Sequence, residues 1–211
     1  MKCIIFANGE YGPAEAYQSI IEGSELIICA DGGANYAYKL GVVPRLIIGD
    51  LDSILPEVRE YYIERKVSFQ KYPRQKDFTD MELALAFANK EGADEIVFLG
   101  SLGKRLDHTL ANLYCGMNMV REGKKFVHFN PDYDVYLLSN SLRFTGQKGD
   151  LVSIVTLSDR AFGVYIRGFE YPLDNALLEK ENPIGISNIL NAECGEIELE
   201  DGVLAVIHYK K

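Results

Sequence analysis

Two aspartates one residue apart, Asp50-Leu51-Asp52, and two more three residues apart, Asp77 and Asp80, are the most chemically loaded positions of this 211-residue chain. In an extended stretch the side chains of residues i and i+2 point the same way, so Asp50 and Asp52 can reach one cation. Asp77 and Asp80 can do likewise across the start of a helix. Gathered in one cleft, carboxylates about 4 Å apart repel by roughly 1 to 4 kcal/mol per pair at effective dielectrics of 80 to 20. They need a cation between them. Oxygen-only ligands with no His or Cys cluster nearby select a hard ion, and magnesium shared between carboxylates and phosphates is the usual arrangement. Asp50, Asp52, Asp77 and Asp80 are therefore the expected metal ligands and catalytic residues.

Positive charge for phosphates is available at Lys104 and Arg105, which follow Gly103; arginine offers a planar fork for phosphate oxygens. The spacing is not that of a Walker loop, since Arg105 stands where Ser or Thr is required, and no G-x-G-x-x-G occurs. Gly32-Gly33 after Asp31 reads as a tight strand-to-helix turn. Thr79-Asp80-Met81-Glu82 has the form of a capping box, which assigns Thr79 and Glu82 to the start of a helix and Asp80 to its first turn. Asp107 has the character of an N-cap. His128 and His208 fall in apolar strand-like runs and read as structural; His108, at a helix start, is the histidine expected to meet a ligand.

These loops need elements to position them. Cys3 to Ala7, Leu26 to Ala30, Leu46 to Ile48, Ile96 to Leu99 and Phe126 to Phe129 read as strands. Helices fit between them at Pro13 to Ile21, Ala34 to Leu40, Pro56 to Arg65, Thr79 to Lys90 and Asp107 to Arg121. The strands are nearly all apolar, as burial on both faces by crossover helices requires, so a parallel α/β sheet is expected. The Asp- and Gly-rich loops then lie at the carboxyl ends of strands, the edge where ligands bind in such sheets. After Pro131 the pattern becomes alternating β-type runs with almost no helical period, giving an expected boundary between residues 1–131 and 132–211. Asp201-Gly202, between two of those runs, has the composition of a two-residue hairpin turn.

Composition sets the wider limits. With 47% hydrophobic and 25% charged residues the chain is that of an ordinary globular protein, long enough to bury a real core. No apolar run is long enough for a signal peptide or a membrane span. The cysteines at 3, 29, 115 and 194 are scattered without a C-x-x-C pair, which fits a reducing cytoplasm. A formal net charge of −9 argues against nucleic acid, yet admits a nucleotide whose phosphates are neutralised by a metal ion and a few placed cations.

In sequence order, Asp31-Gly32-Gly33-Ala34-Asn35, Gly49-Asp50-Leu51-Asp52-Ser53, Lys76-Asp77-Phe78-Thr79-Asp80 and Gly100 to His108 resemble the thiamine pyrophosphokinase family. Gly168-Phe169-Glu170-Tyr171-Pro172-Leu173 and Gly185-Ile186-Ser187-Asn188 resemble the same family's thiamine-binding region, so the likeness covers essentially the whole chain. Two positions depart from it: Lys104 stands where glycine is common, and Ile189 where an acidic residue is frequent. The resemblance implies a Rossmann-like α/β nucleotide-binding domain followed by an all-β sandwich. It implies magnesium-dependent transfer of pyrophosphate from ATP to the thiamine hydroxyl, with AMP as leaving group. It places Asp31, Gly32, Gly33, Asn35, Lys104, Arg105, Asp107 and His108 at the nucleotide and Gln75, Ser187 and Asn188 at thiamine, in a homodimer. Three rivals share parts of the pattern: a pterin-alcohol pyrophosphokinase, a haloacid-dehalogenase-like phosphohydrolase and a sensor of nucleotide or thiamine. The hydrolase family places its Asp-x-Asp after the first strand, whereas here the pair follows the third.

Overall fold

The computed structural model describes residues 1–210, in two units: Met1–Cys115 with His128–Asn130, and Gly116–Val127 with the residues from Pro131 onward. The first unit alternates strand and helix: β1 (Lys2–Phe6), α1 (Glu15–Ile21), β2 (Leu26–Ala30), α2 (Gly33–Lys39) and β3 (Leu46–Gly49). It continues with α3 (Pro56–Glu64), β4 (Ser68–Lys71), α4 (Asp80–Lys90), β5 (Glu95–Leu99) and α5 (Leu106–Cys115). The strands lie in the order β5-β1-β2-β3-β4, all parallel.

The apolar runs form strands because both their faces are covered. Ile4, Phe6, Cys29, Ile47, Val97 and Leu99 share one core with Tyr17 of α1, Ala34 and Ala37 of α2, and Val58 and Tyr62 of α3. Helix α4 buries Met81, Ala84, Leu85 and Ala88 and lies against β2 and β3. Its capping box forms as expected: the Thr79 hydroxyl accepts from the Glu82 amide, and the Glu82 carboxylate accepts from the Thr79 amide. Strand β4 has no counterpart in the sequence reading. It is the edge strand, its residues Ser-Phe-Gln-Lys are mostly exposed, and an edge needs no continuous apolar run.

The second unit opens with α6 (Met117–Arg121) and β6 (Lys125–Phe129), whose last two residues belong to the first unit. Then follow β7 (Tyr133–Leu138), β8 (Ser141–Thr145), β9 (Leu151–Thr156), β10 (Arg160–Arg167), β11 (Leu173–Glu179), β12 (Asn188–Ile189), β13 (Cys194–Glu198) and β14 (Leu204–Tyr209). Two antiparallel layers result, β12-β9-β14-β7 and β11-β10-β13-β8. Val152, Ile154, Leu204 and Val206 from one layer and Phe144, Val164, Ile166 and Ile197 from the other share a single core.

Two local expectations are corrected. Asp201-Gly202 does not close a hairpin, because β13 and β14 belong to different layers. Gly202 takes φ +111°, Asp201 bridges to Phe162, and the turn carries the chain from one layer to the other. The expected helix over 107–121 is two helices, α5 and α6, divided at Gly116. A Cβ at Gly116 would stand 2.6 Å from the Phe126 ring, so the site admits only glycine. Among the described residues no helix is long and apolar enough to cross a membrane.

Candidate active site

The order β5-β1-β2-β3-β4 reverses direction between β1 and β5, and in open parallel sheets ligands bind at the carboxyl ends of the strands flanking such a reversal. Here the loop after β1 is tied to the loop after β5: the Gly9 amide donates to the Gly100 carbonyl at 2.7 Å and the Glu10 amide to the Leu102 carbonyl at 3.2 Å. The Tyr11 hydroxyl reaches the carbonyls of Ala7 and Leu99, each at 2.9 Å, and its ring stacks on Tyr36 with centroids 4.0 Å apart. The chain is thereby held open as a cleft of about 580 Å³ lined by Ala7, Asn8, Gly9, Asp31, Ser53, Asp80, Gly100, Ser101, Lys104, Arg105, Asp107, His108 and Asn112, among others. That volume is in the range of small-molecule sites. The β1 loop, Asn8-Gly9-Glu10-Tyr11, was not singled out from sequence; its glycine beside polar residues at the end of an apolar run was the available signal.

Asp31 and Asp80 line the cleft, and Asp31 belongs to a group of carboxylates. Asp31, Asp50 and Asp52 each offer one oxygen such that these atoms lie within 4.8 Å of one another. Asp31 is 9% exposed, and its Oδ1 is buried with no hydrogen-bond partner. Burial pushes the Asp31 carboxyl above its ordinary pKa; hydrogen bonds from Ser53 and Gly32 oppose this, while Asp50 and Asp80 add to it. A buried, unpaired acceptor among like charges is costly unless a cation meets it. Oxygen donors alone, at this spacing, fit a hard divalent ion. Asp80 enters from the first turn of α4. Its Oδ1 lies 3.0 Å from where a Cβ on Gly49 would be, and 2.7 Å from Lys76 Nζ. Gly49, at φ +147°, thus leaves room that a side chain would take from the carboxylates. Asp77 is exposed and lies outside the group of three.

The backbone around these residues is strained, with positive φ at Asp31 (44°), Leu51 (66°) and Lys104 (55°). Such strain concentrates where geometry is set by function. Gly33 is required by close approach, since its Cβ would stand 2.1 Å from the Phe6 carbonyl oxygen, while a Cβ on Gly32 would stand 2.5 Å from the exposed Asn8 side chain, which would have to move aside. The Asn35 amide is engaged within the protein, donating to the Ser53 carbonyl at 2.9 Å and accepting from the Leu55 amide at 3.0 Å. It ties α2 to the loop that carries Asp52.

At the cleft's other wall the Arg105 guanidinium is paired with Asp107 through two hydrogen bonds, Nε to Oδ1 at 3.1 Å and Nη2 to Oδ2 at 2.5 Å. That hydrogen bonding holds the Asp107 carboxyl below the usual carboxylate range. Asp107 lies in the first turn of α5, not at its cap. Lys104 Nζ lies 3.1 Å from the Tyr36 hydroxyl, and the Lys104 amide donates to Glu10 Oε1 at 3.1 Å. His108 is exposed on the wall.

Gln75 is exposed on the loop between β4 and α4. In the second unit Ser187 is exposed at φ +62°. Asn188 is buried, its Oδ1 accepting from the amides of Tyr171 at 3.0 Å and Ile189 at 2.9 Å, its Nδ2 donating to the Tyr171 carbonyl at 2.7 Å. Asn188 therefore shapes the Tyr171 loop.

Behind the cleft, Ser101 Oγ lies 2.8 Å from His128 Nδ1, and Asn112 Nδ2 donates to the Ser101 carbonyl at 2.6 Å. Burial lowers the His128 pKa to about 3, so the folded state holds the ring neutral where the unfolded chain, near 6.5, takes up a proton. The stability His128 allows is present above pH 6.5 and is lost as pH falls toward 3. His128→Gln is expected to flatten the pH dependence of unfolding free energy between pH 6 and 4 by about 1.4 kcal/mol per unit, measured by denaturant titration. An unchanged slope would contradict the assignment.

Two family models match most of the chain. Residues 17–128 match the family model described as thiamin pyrophosphokinase, catalytic domain, and residues 139–204 the one described as thiamin pyrophosphokinase, vitamin B1 binding domain. The thiamine pyrophosphokinase of Bacillus subtilis is 29% identical, over 86% of this chain and 86% of its own. Thiamine pyrophosphokinase 1 of rice is 27% identical over 87% and 79%. The crystal structure of the Bacillus subtilis enzyme superimposes with a TM-score of 0.87 at 23% identity over the full length of both chains, and that of the yeast enzyme with 0.78 at 18% over 99% and 86%. At those identities the structural likeness speaks for the fold.

Proposed function

The chain belongs to the thiamin pyrophosphokinase family, and on that premise we propose that it transfers the pyrophosphoryl group of ATP to the hydroxyl of thiamine, releasing AMP and thiamine diphosphate. The observation that carries the reading is the carboxylate group Asp31, Asp50 and Asp52 with the unpaired buried oxygen of Asp31, Asp31 itself lining the cleft where the sheet reverses. Carboxylates so placed repel one another unless a cation sits between them, and magnesium shared with substrate phosphates meets that need.

Asp31, Asp50 and Asp52 would hold magnesium, with Asp80 beside them. When bound, the ion neutralises phosphate oxygens and stabilises charge as the β-phosphorus is attacked. The chain's own residues do the rest by positioning. Arg105, turned from Asp107 toward the nucleotide, presents its fork to phosphate oxygens; Lys104 and His108 add donors from the same wall. Gly32 and Gly33 let the backbone come close to the nucleotide. The thiamine hydroxyl attacks directly, with no covalent enzyme intermediate, and a carboxylate of the group accepts its proton.

Residues 1–131, Rossmann-like in their nucleotide binding, form the ATP and magnesium domain and residues 132–211 the thiamine domain. Gln75 and Ser187 contact thiamine while Asn188 holds the Tyr171 loop for it. The protein acts as a homodimer in the cytoplasm. Leu106, Leu110 and Tyr114, exposed along one face of α5, supply apolar surface for association, and four free thiols suit a reducing compartment.

Incubation of purified protein with ATP, magnesium and thiamine is expected to yield thiamine diphosphate and AMP in equal amounts by mass spectrometry. Phosphate release without AMP would replace the reading with a hydrolase. AMP formed only with a pterin alcohol would move the acceptor.

A further inference from the structure

We propose that Lys76 is a positioning residue, a built-in counter-ion that ties up Asp80 and thereby directs a divalent cation onto Asp31, Asp50 and Asp52. The inference rests on the reading of that carboxylate group as a cation site. Lys76 Nζ lies 2.7 Å from Asp80 Oδ1, with side chains 13% and 28% exposed. The other cation–carboxylate pairs around the cleft are far more open: Arg105 and Asp107 are 67% and 64% exposed, Arg74 and Asp52 86% and 51%. Solvent and salt screen those two strongly and the Lys76 pair much less.

The location is otherwise unfavourable for a cation. Lys76 sits four residues ahead of Asp80, which opens α4, so its ammonium lies at the positive end of the helix dipole. Only the carboxylates can make that placement favourable. The oxygen it holds lies beside the group: Asp80 Oδ1 is 3.0 Å from a Cβ position on Gly49, and the Asp31 Cβ is 3.1 Å from the same point. One carboxylate oxygen thus serves either the lysine or a cation. With Lys76 present, Asp80 is neutralised from within the chain.

Titration of nucleotide-free protein with Mn²⁺ by calorimetry tests this, comparing wild type with Lys76→Met, Lys76→Arg and Asp80→Asn. Lys76→Met is expected to bind Mn²⁺ about tenfold more tightly, because a positive charge leaves and Asp80 is freed. Lys76→Arg, which keeps the charge, is expected to stay within about threefold of wild type. Asp80→Asn is expected to bind more weakly, since the ammonium then faces the remaining carboxylates unpaired. Lower thermal stability of Lys76→Met with unchanged Mn²⁺ affinity would overturn the proposal in favour of a purely structural pair. A raised KM for ATP with unchanged Mn²⁺ affinity would overturn it in favour of a phosphate ligand. Wild type that takes up no Mn²⁺ would instead contradict the cation site itself.

Discussion

Asp31→Asn is expected to give a folded protein that melts about 2–4 °C above the parent without divalent ions, the shift that about 1 kcal/mol produces at this size, while turnover falls roughly a thousandfold. The two effects share one cause. Asp31 is buried beside Asp50 and Asp80, and burial raises its pKa, so the folded state disfavours the charge that neutral pH imposes. Removing that charge relieves the apo protein. Because a raised pKa means the folded state binds the proton more readily, the gain is largest at neutral pH and fades as pH falls into the carboxylate range. Magnesium reverses the balance: it is expected to raise the melting temperature of wild type and leave Asp31→Asn unmoved. Calorimetry with and without magnesium reads the first effect and product formation the second. A variant both less stable and fully active would contradict the placement of Asp31 in the cation site.

Gly33→Ala is expected to cost at least about 3 kcal/mol, lowering the melting temperature by roughly 6–12 °C or preventing folding. The added Cβ would lie 2.1 Å from the Phe6 carbonyl oxygen, 2.6 Å from its carbon and 3.0 Å from the Ala7 amide nitrogen. All are backbone atoms at the end of β1, which pairs on both sides within the sheet, so nothing cheap can move. Gly23→Ala is the control. Gly23 has φ +73° but open space around it, so only the left-handed penalty of about 1–2 kcal/mol applies. Equal losses at the two positions, followed by thermal melts, would contradict a packing origin for the glycine at this turn.

The sequence exposes what is encoded locally. The apolar runs of β1, β2, β3 and β5 announce strands covered on both faces, and Thr79 with Glu82 announces the start of α4. The same cap explains why Asp80 is turned inward from a helix while Asp77, ahead of the cap, stays in solvent. What depends on adjacency in space is hidden. Asp31 joins Asp50 and Asp52 because β2 and β3 lie side by side in parallel, Ala30 opposite Ile48, with the Asp31 amide donating to the Ile48 carbonyl. Nothing within either loop says so. The resemblance places Asn35 at the nucleotide, and only the fold shows that its amide also binds Ser53 and Leu55. Asp201-Gly202 has hairpin chemistry, but the flanking strands each find better partners in separate layers, and tertiary pairing overrides turn composition. Strand β4 is silent because an edge carries no burial signal.

The central claim is transfer of two phosphates in one step, and ATP labelled at its γ-phosphate tests it most directly. With thiamine and magnesium present, all transferred label should appear in the terminal phosphate of thiamine diphosphate, one equivalent for each AMP, with no thiamine monophosphate accumulating at early times. Label passing first into thiamine monophosphate, with ADP as the nucleotide product, would contradict it.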